Sequence, residues 1–245
     1  MTPRETPFVF VHGLFGSFAD QTVFDALQPA VCSAPDLVGY GGAPGIVTTD
    51  GQVAALQAHI DRVSPSTPVH LVAHSIGGVF AFLYADAYPE RVASVTSVEG
   101  NFTLDDAFWS QSIAALDETT ARTSITARLT DPHGFLTGDG IQPTAELVAF
   151  ARQALAYQPW RTVWESARSI VATTGGQEWA RTLRRVFAAT PVHLIAGERS
   201  RHDWHVPQWA IRDAATFDIV TGAGHMIMLE HPGRLAETLL TTHTP

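Results

Sequence analysis

The sequence contains no lysine and a single cysteine; all 15 basic residues are arginine. Without lysine there is no P-loop, whose phosphate cradle ends in Gly-Lys-Ser or Gly-Lys-Thr. No Gly-x-Gly-x-x-Gly opens a helix directly after an apolar run, so the dinucleotide fingerprint is missing as well. One cysteine cannot form an internal disulfide or a zinc cluster. It lies in the apolar run Val31–Ala34, which predicts a buried thiol at Cys32. No apolar run approaches the roughly 20 residues that span a bilayer. Met1–Pro7 carries no apolar core of signal-peptide length. A cytoplasmic location is the expectation. Charged residues are scarce at 16%, and the formal net charge is -9. An acidic surface repels nucleic acid and anionic membranes, so neither is expected as a partner.

What the chain has in quantity is apolar sequence, 45% of 245 residues. That suits one large domain or a domain carrying an insertion. β-Rich apolar runs recur at Phe8–Val11, Val31–Ala34, Val69–Ala73, Val92–Val98, Val192–Ala196 and Thr216–Val220. Near-continuous apolar runs fit strands buried on both faces of a parallel sheet. Helical periodicity lies between them, at Phe18–Leu27, Gln52–Val63 and Ile76–Tyr88. The alternation predicts a doubly wound α/β sheet with right-handed crossovers.

One junction is unusual. In Ala73-His74-Ser75-Ile76-Gly77 a serine stands between the third strand and the following helix, with a small residue two positions either side. Such a turn is too sharp for bulky flanking side chains. It lifts the hydroxyl clear of the sheet at the positive end of a helix. Two more Gly-rich loops follow strands: His12-Gly13-Leu14-Phe15-Gly16-Ser17, and Asp36-Leu37-Val38-Gly39-Tyr40-Gly41-Gly42. A fourth, Gly222-Ala223-Gly224-His225, follows the sixth. In open α/β sheets, sites form at these strand ends.

Between the fourth and fifth strands, about Phe102–Ala189, several amphipathic patterns replace a plain crossover. Phe108, Ser112, Ala115 and Leu116 share one predicted face; Leu147, Phe150, Ala151, Ala154 and Leu155 share another. Further faces carry Trp160, Val163, Trp164, Ala167 and Val171, then Trp179, Leu183, Val186 and Phe187. Four of the six tryptophans lie here, either packing the helices down or lining an apolar pocket.

Those four loops, in that order, resemble the α/β-hydrolase fold of the capped serine esterase and lactonase type. The resemblance spans nearly the whole chain, with Ala73 standing where the family usually has glycine. It implies strand order 2-1-3-4-5-6, a core of residues 1–101 and 190–245, and a helical cap over 102–189. It also implies a further hairpin ahead of the first strand, for which the sequence leaves no room. Ser75 is then the nucleophile and His225 the base. The oxyanion hole is the backbone N–H of Ile76 and of Leu14. His12 is expected to support the Leu14 loop, and His74 to point away from the pocket. The acid has two candidates. The usual position after the fifth strand, in Gly197-Glu198-Arg199-Ser200, holds serine, with Asp203 three residues on. The fourth strand ends in Glu99, the arrangement seen in haloalkane dehalogenases and zearalenone-type lactonases, and Glu99 is favoured. No cofactor is expected, and no metal at His202 and His205. The expected substrate is a small apolar or aromatic ester or lactone. Thioester, amide or carbon–carbon hydrolysis, or ligand binding with little turnover, fit the same residues. The oligomeric state is not readable.

Overall fold

A computed structural model describes residues 6–243. The outermost residues of the expected core range, 1–5 and 244–245, lie outside the described residues, as does most of the Met1–Pro7 segment. In chain order the elements are β1 (Phe8–Val11), α1 (Gln21–Ala26), β2 (Cys32–Ser33), α2 (Thr49–Val63), β3 (Val69–His74), α3 (Gly77–Ala87) and β4 (Val92–Val98). Six helices follow: α4 (Phe108–Ala114), α5 (Glu118–Leu129), α6 (Pro132–Gly138), α7 (Ala145–Ala156), α8 (Trp160–Thr174) and α9 (Gln177–Ala189). The chain closes with β5 (Val192–Gly197), α10 (Gln208–Asp213), β6 (Thr216–Val220), α11 (Ile227–Glu230) and α12 (Pro232–His243).

The strands form one sheet in the order β2-β1-β3-β4-β5-β6, and every pairing is parallel. All strands therefore end at the same edge, and the loops that leave them meet there. Side-chain alternation divides the core. Val9 and Val11 of β1 face one layer, with Leu56 and Ile60 of α2 and Phe80 of α3. Phe8 and Phe10 face the other, with Val23 of α1 and Leu235 and Leu239 of α12. Each such side chain, once fully buried, contributes about 1.5–3 kcal/mol. Helix α9 packs on α3 beside the sheet, α4 packs on α8, and α6 packs on α7.

Four local expectations are corrected. Cys32 is half-buried, because β2 is a two-residue edge strand with one side uncovered. Helix α1 starts at Gln21, where the Asp20 carboxylate caps the Val23 N–H at 3.0 Å. Helix α2 starts earlier than the periodicity implies, at Thr49, because the Thr48 hydroxyl accepts from the Gly51 N–H at 3.1 Å and caps it. On α4 the predicted face is turned outward: Phe108 is 61% exposed, and Ser110 and Ile113 are the buried residues. That helix has only seven residues, too short for periodicity to decide its inner face. Among the described residues no helix is long and apolar enough to cross a membrane.

Candidate active site

Ser75 sits between β3 and α3 with φ +53°, in the left-handed region that disfavours a side chain. Gly77 shows why the following residues must be small. A Cβ there would lie 2.5 Å from the His12 carbonyl oxygen and 2.6 Å from that of Val11. Ala73 is fully buried and pairs with Val11 and Ser97 in the neighbouring strands, so its methyl is accommodated within the sheet.

Glu99 immediately follows β4 and also has positive φ, +44°. The turn carries its side chain under the His225 loop. Glu99 Oε2 lies 2.8 Å from His225 Nδ1. Its other oxygen, Oε1, accepts from the Gly197 N–H at 2.7 Å and the Ser200 hydroxyl at 2.5 Å. Burial pushes this carboxyl up, but the His225, Ser200 and Gly197 hydrogen bonds outweigh it and hold it below its usual value. On His225 burial pulls the imidazole down, while the bond and charge of Glu99, helped by Asp139 and Asp106, leave it above its usual value. The His225 side chain is 37% exposed, so its free edge opens into a cavity while Nδ1 stays tied to Glu99.

That cavity, about 340 Å³, is shared by Ser75, His225, Leu14 and Ile76. Ser75 Oγ has no hydrogen-bond partner among the described residues, and neither do the N–H groups of Leu14 and Ile76. The loop that carries Leu14 is pinned from behind. Tyr40 donates its hydroxyl to the Leu14 carbonyl at 3.1 Å, and the Gly16 N–H donates to Gln158 at 2.8 Å. His12 Nδ1 lies 2.8 Å from the Gly13 carbonyl, and burial lowers its imidazole to about 4.

The other candidate acid is elsewhere. The Asp203 side chain is 73% exposed at the cavity mouth, 3.2 Å from His202. His205 turns instead to Asp106, which accepts its backbone N–H at 2.6 Å. His74 is buried beside the His225 loop, its ring 4.6 Å from the His225 ring between centroids and its Nε2 3.1 Å from the His225 carbonyl. Gly13 permits this, since a Cβ there would meet His74 Nδ1 at 2.8 Å. Of the tryptophans, Trp109 and Trp204 reach the cavity, whereas Trp164 and Trp179 are buried in the core.

Three cavity residues had not stood out in the sequence. Ser200 is noticeable there only as a missing aspartate; in the structure its hydroxyl fills that place and bonds to Glu99. Arg128 and Asp139 come from α5 and the end of α6. No motif marks them, because their positions depend on how the inserted helices fold back.

A six-stranded parallel sheet with helices on both faces and a helical insertion after β4 is the α/β-hydrolase fold. The chain belongs to the alpha/beta hydrolase family, whose model matches residues 8–238. Over 75 residues it is 39% identical to Lipase LipV from Mycobacterium tuberculosis, a match spanning 30% of this chain and 28% of that protein. Solved structures share the fold at low identity. A thermophilic esterase from Thermogutta terrifontis has a TM-score of 0.70 at 20% identity, covering 99% of this chain and 92% of that one. A loop variant of the haloalkane dehalogenase DbeA from Bradyrhizobium elkanii has a TM-score of 0.73 at 17% identity, covering 98% and 89%. The family supports a hydrolase.

Proposed function

We propose that the protein is a serine hydrolase that cleaves carboxylic esters or lactones through an acyl-enzyme. His225 Nε2 takes the Ser75 proton as Oγ attacks the carbonyl carbon. The oxyanion accepts from the Leu14 and Ile76 N–H groups, donors that contribute about 3 kcal/mol each in such sites. The imidazolium then protonates the departing alkoxide, which opens the acyl–oxygen bond. Water attacks the acyl carbon and gives a proton to His225, which returns it to Ser75 as the acid leaves. Glu99 fixes the tautomer through Nδ1–H and stabilises the imidazolium. Residues 1–101 and 190–245 supply this machinery; of the inserted stretch 102–189, α9 packs on α3 beside the sheet and the helices before it act as the cap.

One observation carries the reading. A buried carboxylate bonded at 2.8 Å to a histidine faces the cavity of a serine in a strained strand-to-helix turn. A serine there also argues against haloalkane dehalogenation, which needs a carboxylate nucleophile. The lipase and the esterase that the chain is similar to point the same way. The test is a panel of aryl esters, lactones and thioesters, with Ser75→Ala as the blank. Ester or lactone turnover that the blank loses, with a mass increment of one acyl group on Ser75 after a quench, supports the proposal. Equal turnover by the blank contradicts it.

A further inference from the structure

Arg128, in the last turn of α5, forms part of the cavity wall that also holds Ser75 and His225. Its guanidinium carbon lies 3.5 Å from the centre of the Trp109 ring and 5.9 Å from that of Phe15. Phe15 directly follows Leu14, so the cation is braced against the loop proposed to bind the oxyanion. Stacking on an indole orients the guanidinium plane but leaves its N–H groups unused. Among the described residues no carboxylate pairs with it, and Nε is buried without a hydrogen-bond partner.

Most of the other cavity charges are engaged. Arg199 donates to Glu230 at 2.6 Å and to the Gly222 carbonyl. Glu99 is held by His225, Ser200 and Gly197. Asp106 accepts from the N–H groups of Phe102, Thr103 and His205. Asp139 and Asp131 act on Arg128 through their charge, but neither forms an ion pair or hydrogen bond with it. A half-buried guanidinium without an acceptor is costly. Its planar fork matches a carboxylate, which can take two parallel hydrogen bonds.

We infer that Arg128 selects substrate: the ester or lactone carries a carboxylate, which Arg128 binds while the reacting carbonyl lies over Ser75. The position of that carbonyl rests on the hydrolase reading; the anion site itself does not. A helix-terminal cation that merely stabilises α5 would be indifferent to substrate charge.

Two matched pairs place the carboxylate in either half of the ester. The first is 4-nitrophenyl hydrogen glutarate and its methyl ester. The second is 4-acetoxybenzoate and its methyl ester. In at least one pair the wild type is expected to favour the anion. Arg128→Gln is expected to lower kcat/KM for that anion by about 10- to 100-fold, the loss typical of a charged hydrogen bond. The loss should fall mainly in KM, with the neutral partner changed less than about threefold. An anion preference that is absent, or that survives Arg128→Gln, overturns the assignment, as does an equal loss on both partners. A second measurement needs no turnover. Calorimetry on Ser75→Ala should detect monoethyl glutarate or monomethyl terephthalate, and Arg128→Gln in that background should abolish it. Arginine-dependent binding without ester turnover refutes the hydrolase reading and keeps the anion site. Turnover without charge preference does the reverse.

Discussion

Two groups of histidines sit at opposite ends of the same six strands. At the strand ends, His225 is tied to Glu99, and its imidazole is raised above its usual value. At the strand starts, His70 of β3 and His193 of β5 meet His243 of α12, with ring centroids 4.3 and 5.0 Å from His243. Their partners are neutral hydroxyls: Ser94 at 2.7 Å from His70, Thr216 at 3.2 Å from His193 and Thr96 at 3.0 Å from His243. Burial, reinforced by the neighbouring rings, lowers His70 to about 4 and His243 to about 2; burial also lowers His193, against the pull of Asp218. Burial acts in the same direction on both groups. What differs most is a carboxylate hydrogen-bonded to the ring, Glu99, which turns a structural imidazole into a group that can take and hold a proton.

The comparison can be broken at several points. The largest effect is expected from Ser75→Ala, with kcat/KM falling by at least about 10⁴-fold while thermal stability stays within a few degrees. Glu99→Gln comes next, at about 10²- to 10⁴-fold, against less than about threefold for Asp203→Asn. Its sign on pH is definite. The base works when neutral, so a raised imidazole puts the acid limb of kcat/KM above the ordinary histidine range. Removing the Glu99 charge leaves only the smaller pull of Asp139 and Asp106 against burial, and the limb should move to lower pH.

At the strand starts the readout is stability. His70 has a folded value below its unfolded one, so the unfolded chain binds the extra proton. Stability is lost as pH falls through the ordinary histidine range, and the loss levels off near the folded value. For His70 this is on the order of 3 kcal/mol. Chemical denaturation of His70→Leu should show a flatter dependence between pH 7 and 4, with kcat/KM at pH 7 within about threefold of wild type. A parallel loss of activity would mean that the two ends are not independent. The smallest effect is expected from Ser200→Ala. Glu99 keeps its His225 and Gly197 bonds and loses one hydroxyl, so kcat/KM should fall by about tenfold.

The strands were legible because a sheet buried on both faces demands continuous apolar runs, and the loops because a strained turn demands small residues. Ser75, His225 and the two candidate acids, Glu99 and Asp203, were singled out by the order of those loops together with the family they resemble. What escaped depends on side chains meeting across long separations. The packing of His74 against the His225 loop turned on the missing Cβ of Gly13. The position of Ser200 beside Glu99 depended on how the loop after β5 folds. Arg128 reached the cavity only through the packing of α5 against α8 and α6. Short elements failed for a different reason: β2 and α4 are too brief for periodicity to identify the buried side.

Labelling with a fluorophosphonate probe tests the central assignment most directly, because it needs no knowledge of the substrate. Peptide mass analysis of the labelled protein should find one adduct, on Ser75. The labelling rate should be nearly unchanged in Asp203→Asn and at least about a hundredfold slower in folded Glu99→Gln. No adduct on Ser75, or a slow rate in Asp203→Asn with a normal one in Glu99→Gln, would contradict it.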